Sequence, residues 1–355
     1  MTTTLTMTTT HDGRRYSRLM GGRVADGSRP TLDTVARAAG VSRSLVSFAL
    51  NGRPGVSAEK RAAIIAIADE LGYLADPLAR ELRTGRSQMF GFIVRNIANP
   101  FFNDVLAGMQ EAAFEKDITV VAMDSEYSED KERRHIRTLA ARRAGALAIA
   151  PVGAGGAIGE WLTARPDGRT VLVNSSMRVA EGVPRVAPDS VAAVTSAIEH
   201  LIALGHRDIA FLTAPVALMS DTDRLETYLA VCAGTGLTAR PVQMDLQGEA
   251  IATGTRSLLA GSEPPTAIIT NSDHAAHFVY RAARDVGVRI GDGLSVVGHD
   301  DLPTSVLLDP PLTTVRLDRR ALGRATFERL SGDADGDLAM PVELIARGST
   351  ATPRR

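Results

Sequence analysis

The sequence predicts an α/β protein: an N-terminal three-helix helix-turn-helix head, then a core of two doubly wound parallel-sheet subdomains. Three observations carry this. Residues 31–51, TLDTVARAAGVSRSLVSFALN, have the grammar of two short helices joined at a glycine. From residue 89, short and near-continuous apolar runs alternate with amphipathic ones, the pattern of parallel sheets covered by helices on both faces. A length of 355 residues with 44% hydrophobic content suits two or three domains and a large buried core.

Taken in order, residues 1–29 are Thr-rich and then polar with scattered arginines, and read as a disordered tail. Met1, Met7 and Met20 are each possible starts. Thr31 caps a first helix with Asp33 in its first turn, where the helix dipole favours an anion. Leu32, Val35 and Ala36 form its apolar face. Gly40 permits the tight turn. Ser42 caps a second helix that carries Val46, Ala49 and Leu50 inward and presents Arg43, Ser44, Leu45, Ser47 and Phe48 outward. Such a helix is built to enter a DNA major groove by its N-terminal end. Asn51-Gly52-Arg53-Pro54-Gly55 is a loop, and Ser57 caps a third helix with Ala63, Ile64, Ile67, Ala68 and Leu71 at helical spacing. This head spans 30–76. Residues 77–88 follow as a linker whose Pro77 can start a helix too short to be stable alone.

Within 89–355 the expected strands are MFGFIVRNI, ITVVAMDS, ALAIAPV and TVLVNSS, then DIAFLTAP, PVQMDL, TAIITNS and LSVVGHDD. Helices separate them, from FFNDVLAGMQEAAFEKD to HAAHFVYRAARDVG. Two such runs make two subdomains. Ligands of open α/β sheets bind outside the carboxyl ends of the strands. The loops there carry Asn99 to Asn103, Asp124-Ser125, Asn174-Ser175, Asp221, Arg224, Ser272-Asp273 and His299-Asp300-Asp301.

Several stretches together are specific: TLDTVARAAGVS, then VS and LN, VSAEKR, ELGY and LARELRTGRS. Through them the chain resembles the lactose/galactose-repressor family of bacterial transcription regulators, from residue 30 to the C-terminus. The resemblance implies a periplasmic-binding-protein-like core with a small-molecule effector between the subdomains. It puts subdomain 1 at about 89–187 and 316–342, and subdomain 2 at about 188–315 and 343–355. It implies effector contacts from Arg224, Asp300, Phe101 and Phe102, with Asn174 and Asp273 as further candidates. Carboxylate and guanidinium groups around hydroxyls, with an aromatic under the ring, would hold a sugar. Ser272 and His299 depart from the family pattern, which leaves a nucleobase, an amino acid or a sugar phosphate open beside a sugar.

For the head, the resemblance implies a homodimer on a palindromic double-stranded DNA operator. Arg43 and Ser44 would read bases, with Leu45 beside them. Thr31, Ser42, Ser47 and Asn51 would hold phosphates. Phe48 stands where the family has an arginine; it either packs on a thymine methyl or between the helices. Residues 77–84 match a hinge helix in which Leu82 would wedge into the minor groove. The implied function is a repressor controlled by an effector. An activator of the same family and a stand-alone sugar-binding protein remain alternatives.

Composition agrees. Residues 1–88 carry 13 Lys and Arg against 8 Asp and Glu, a basic head on a chain of net charge −1. A single cysteine, Cys232, sits on an apolar helix face and suits a reducing cytoplasm, where the resemblance to DNA-binding regulators implies association with the nucleoid. No apolar run is long enough to span a membrane, and no signal peptide is recognised. Gly153 to Gly159 misses dinucleotide-loop spacing, and His274 with His277 make an incomplete ligand set. No catalytic residue, metal or cofactor is therefore expected.

Overall fold

The computed structural model describes residues 30–73 and 87–353. They belong to two compact units, the second beginning at Ser87.

The first unit holds α1 (Leu32–Ala38), α2 (Arg43–Leu50) and α3 (Ala58–Glu70). Each starts at a hydroxyl cap. Thr31 Oγ1 accepts from Thr34 N at 3.3 Å, Ser42 Oγ from Leu45 N at 3.2 Å and Ser57 Oγ from Lys60 N at 3.3 Å. Val35, Ala36, Val46, Ala49, Ile64 and Ala68 form the core, with Leu50 and Leu71 at its edge. Ala63 is exposed, because α3 seats only a narrow stripe against its two partners. Arg61 ties α3 to the end of α2: its guanidinium donates to Ala49 O at 2.9 Å and to Arg53 O at 2.6 Å.

The second unit has two lobes. In lobe 1, β1 (Met89–Val94), β2 (Thr119–Asp124), β3 (Ala146–Ile149), β4 (Arg169–Val173), β5 (Arg185–Pro188) and β11 (Leu338–Met340) form one parallel sheet. Its order is β2-β1-β3-β4-β5-β11. Helices α4 (Pro100–Phe114) and α11 (Arg319–Ser331) cover one face, α5 (Glu129–Ala141) and α6 (Ile158–Ala164) the other. Helices α4 and α11 approach closely through reciprocal glycines. A Cβ on Gly108 would strike Arg320 O, and one on Gly323 would strike Val105 O.

In lobe 2, β6 (Ile209–Thr213), β7 (Arg240–Gln243), β8 (Ala267–Ile269), β9 (Ser295–Asp300), β10 (Thr313–Arg316) and β12 (Glu343–Ile345) repeat the pattern as β7-β6-β8-β9-β10-β12. Only β12 runs antiparallel, against β10. Helices α7 (Ser190–Ala203) and α8 (Thr222–Thr235) pack on one face, α9 (Gly248–Leu259) and α10 (Asp273–Asp285) on the other. The chain crosses between lobes after β5, after β10 and after β11.

Five elements carry no clear sequence signal: β5, β10, α11, β11 and β12. The strands are three or four residues long, and α11 reads as polar with Arg319, Arg320, Arg324 and Arg329. Tertiary packing decides all five.

Candidate functional site

On the head, α2 leaves Arg43, Ser44 and Phe48 exposed and Leu45 and Ser47 half-buried. Arg43 meets Asp33 only at 3.7 Å with both side chains open to water, a pair that scarcely restrains it. Phe48 stands outside the helix core, 38% exposed, with the Arg53 guanidinium 5.8 Å above its ring. Asn51 donates its amide to Ser47 O at 2.7 Å and so helps end α2. The hydroxyl of Ser42 accepts a cap bond and keeps a proton to donate, whereas that of Thr31 also shares a hydrogen bond with the Thr34 hydroxyl at 3.1 Å. Leu82, the expected minor-groove wedge, lies outside the described residues, as do the tail 1–29 and the hinge helix 77–84.

Between the lobes lies a partly enclosed cavity. The carboxyl ends of the strands supply its walls, as parallel sheets dictate. Of the expected ligand residues, Phe101, Phe102, Asn174, Arg224 and Asp300 all line it. Asn99 caps α4 by accepting from Phe101 N at 3.1 Å, and Pro100 starts the helix. Phe101 and Phe102 meet edge to face at 5.1 Å and are nearly buried, a wall more than a platform.

Asp273 is a correction. It does not line the cavity. It is fully buried beneath it, and its carboxylate is occupied: Thr314 Oγ1 donates to Oδ1 at 2.6 Å, and Leu302 N and Ser305 Oγ donate to Oδ2 at 2.9 and 2.5 Å. A Cβ on Gly298 would collide with this carboxylate, so the glycine makes room for it. Asp273 fixes the loop after β9.

That loop presents Asp300 with φ +117°, a strained conformation for a residue with a Cβ. Arg319, anchored on Asp104 at 2.7 Å, donates to the Asp300 and Asp301 carbonyls. Arg347 and Arg316 hold the Asp301 carboxylate, each at 2.6 Å. The Asp300 side chain keeps one oxygen without a partner. Burial, and then the neighbouring Asp273 charge, push its carboxyl well above the usual range. His299 donates through Nδ1 to Thr270 O at 2.8 Å and leaves Nε2 bare. Burial, and then the Arg224 charge, depress this imidazole to about 3, so it is neutral at any physiological pH.

Sequence reasoning missed several cavity residues. Arg95 directly ends the apolar strand β1, a position that could have signalled it. It reaches across to lobe 2, donating to Ser220 Oγ at 2.8 Å, and also to Asn174 O at 3.1 Å. Arg224 donates to Asn271 O at 2.9 Å and to Asn174 Oδ1 at 3.3 Å. Asp221 lies between the two guanidinium groups. Tyr127, its hydroxyl pushed up to about 12 by burial, also lines the cavity, with Asn271, Phe211, Leu246 and Ser272 among others. The loop after β6 also grips lobe 1: Ser175 Oγ and Ser176 N donate to Ser220 O at 2.6 and 2.9 Å, and Gly153 N to Leu218 O at 3.1 Å.

Comparison with known proteins fits both regions. Residues 31–76 match the model of bacterial regulatory proteins, lacI family. Residues 87–346 match periplasmic binding proteins and sugar binding domain of LacI family. The chain is 31% identical to the HTH-type transcriptional regulator PtxS of Pseudomonas aeruginosa, over 91% of this chain and 96% of that one. It is 28% identical to the ribose operon repressor of Escherichia coli, over 84% and 92%. A crystal structure of the lac repressor dimer bound to operator and the anti-inducer ONPF superposes with a TM-score of 0.79 at 28% identity, covering 91% of this chain and all of that one. The chain belongs to the lacI family of bacterial regulatory proteins, DNA-binding regulators of transcription.

Proposed function

We propose that the protein is a repressor that binds a near-palindromic operator as a homodimer and is controlled by a small effector, a sugar or related metabolite, in the inter-lobe cleft. The observation that carries the reading is the set of buried polar atoms lining that cleft without a partner: Arg224 Nε, Asn271 Oδ1 and Asp300 Oδ2. Leaving such groups bare costs roughly 1–3 kcal/mol each, which a bound ligand would recover. The ends of β8 and β9 carry Asn271 and Asp300 and the first turn of α8 carries Arg224, and the Arg319 and Asp273 contacts hold the Asp300 backbone in its strained form.

Arg43 and Ser44 would read base edges, with Phe48 against a thymine methyl. Thr31, Ser42, Ser47 and Asn51 would set register on phosphates. The lac repressor dimer on its operator supports this assembly by likeness. Effector binding would replace cross-lobe contacts such as Arg95 to Ser220, alter the lobe arrangement and change operator affinity. Such coupling is typically about 1–3 kcal/mol.

The test is selection of DNA from a random library by the full-length protein, with and without pools of sugars, nucleosides, amino acids and phosphorylated metabolites. The expected result is one enriched palindrome whose retention changes with one pool. Enrichment of no sequence under any condition would overturn the reading.

A further inference from the structure

We propose that the cleft selects an anionic ligand, a polyhydroxylated molecule with one carboxylate or phosphate, and that Arg95 imposes this choice. The inference rests on the effector reading above and narrows it to one chemical class. Two guanidinium groups enter the cavity from opposite lobes, Arg95 from the end of β1 and Arg224 from the first turn of α8. Their side chains are only 8% and 7% exposed. Cations this buried need a counter-charge close by.

Two arginines beside the cleft have one at hydrogen-bond distance: Arg347 lies 2.6 Å from Asp301, and Arg319 2.7 Å from Asp104, whereas the buried Arg329 is met by the Gly336 and Ala325 carbonyls. The cleft pair share Asp221 as their one carboxylate within 4.0 Å, 3.5 Å from Arg95 and 3.9 Å from Arg224, both longer than a good hydrogen bond, with Glu132 farther from Arg95 and Asp223 farther from Arg224. The other carboxyl in the cavity, Asp300, has an unpartnered oxygen, and burial favours its neutral form. Neither cleft guanidinium thus has a carboxylate at hydrogen-bond distance.

Arg224 Nε is a buried donor of a cavity-lining residue, and its facing carboxylate oxygen, on Asp221 at 3.9 Å, is beyond hydrogen-bond reach. An anionic group would take that donor and balance the charge, whereas a hydroxyl would take the donor only. Asn271 Oδ1, an acceptor without a donor, suits a ligand hydroxyl. Phe101, Phe211 and Leu246 offer an apolar wall to the carbon skeleton.

The test is calorimetric titration of the full-length protein with matched trios: glucose, gluconate and glucose 6-phosphate; ribose, ribonate and ribose 5-phosphate. At least one anionic member is expected to bind about tenfold or more tighter than its neutral parent, the gain of one charge-assisted contact. The acid and phosphate arms tell carboxylate from phosphate. Arg95→Met is expected to bring that preference within about threefold of parity, and Arg95→Lys, which keeps the charge, to retain part of it. Should Arg95→Met fail to fold, Arg95→Lys alone decides, since its point charge must still favour the anion. Equal or tighter binding of the neutral parents overturns the inference and leaves the effector reading standing, as does a preference that survives Arg95→Met. No binding by any anionic member also overturns it. If the broader metabolite pools then leave operator retention unchanged as well, the effector reading falls with it.

Discussion

The two lobes share one strand order yet treat their buried polar groups in opposite ways. Among the described residues, the buried side-chain polar atoms without a partner belong to Asp223, Arg224, Thr255, Asn271, His277, His299 and Asp300, all in lobe 2. Lobe 1 buries polar groups too, but satisfies them. Arg95 has Ser220 and Asn174, Asn99 has Phe101 N, and Glu132 accepts from Val152 N at 2.8 Å. Unmet hydrogen bonds destabilise a fold unless something else meets them. Of these only Arg224, Asn271 and Asp300 line the cleft; they would make lobe 2 the side that offers unmet hydrogen bonds to a ligand, with lobe 1 supplying the aromatic wall and the reaching Arg95.

The largest expected effect separates a frame residue from a reader within lobe 2. Asp273→Ala removes the acceptor of three donors in the interior, and should cost on the order of 4 kcal/mol in denaturant unfolding. Asp273→Asn should cost less, because it keeps one acceptor oxygen. Effector affinity of the folded asparagine variant should change by less than about threefold, or roughly 0.6 kcal/mol. A large affinity loss without a stability loss would return Asp273 to the ligand site.

Asp273 also shows what the sequence can and cannot convey. Its place after a strand is visible in the letters, and so are Arg224, Asp300 and Asn174, because strand ends follow from apolar runs. Whether a carboxylate there points into the cavity or beneath it depends on Thr314, 41 residues away, and on the space left at Gly298. The head was more legible, since its caps join residues three apart. Helix α11 was less so: only contact with α4 and the sheet makes sense of Leu322, Phe327 and Leu330 in a helix with four arginines. Arg95 was visible as a cation ending an apolar strand, but its role depends on Ser220, 125 residues on.

Truncating a reader ranks next. Arg224→Met should weaken effector binding by roughly 150-fold, about 3 kcal/mol, the loss expected of a desolvated charged contact. The matching change on the lobe 1 wall, Phe102→Leu, should cost no more than about fivefold, roughly 1 kcal/mol. Both are read by effector titration of operator binding. A larger loss from Phe102→Leu than from Arg224→Met would reverse the assignment of lobes.

Lobe 1 has its own titrating group. Burial, partly offset by the Val152 N–H, lifts the Glu132 carboxyl to about 7. A carboxyl raised on folding contributes its full stability below its unfolded value near 4.5 and loses it as pH rises through about 7. The wild type should thus lose on the order of 2 kcal/mol relative to Glu132→Gln between those limits, as measured by unfolding at a series of pH values. The glutamine keeps an acceptor for Val152, so a parallel pH profile in the two proteins would show that lobe 1 accommodates the charge after all.

The smallest effect concerns the head, where polar side chains close on their own helices. Ser42→Ala deletes the cap of α2 and should cost about 1 kcal/mol of head stability. Ser42→Gly should cost only a few tenths, because glycine tolerates the cap position. If Ser42 also holds a phosphate, operator binding should weaken for both variants equally, across all sequences, and without loss of the preferred operator. The two measurements separate the roles: stability distinguishes alanine from glycine, and phosphate contact does not. A change in the preferred operator sequence would instead place Ser42 among the base readers, beside Arg43 and Ser44.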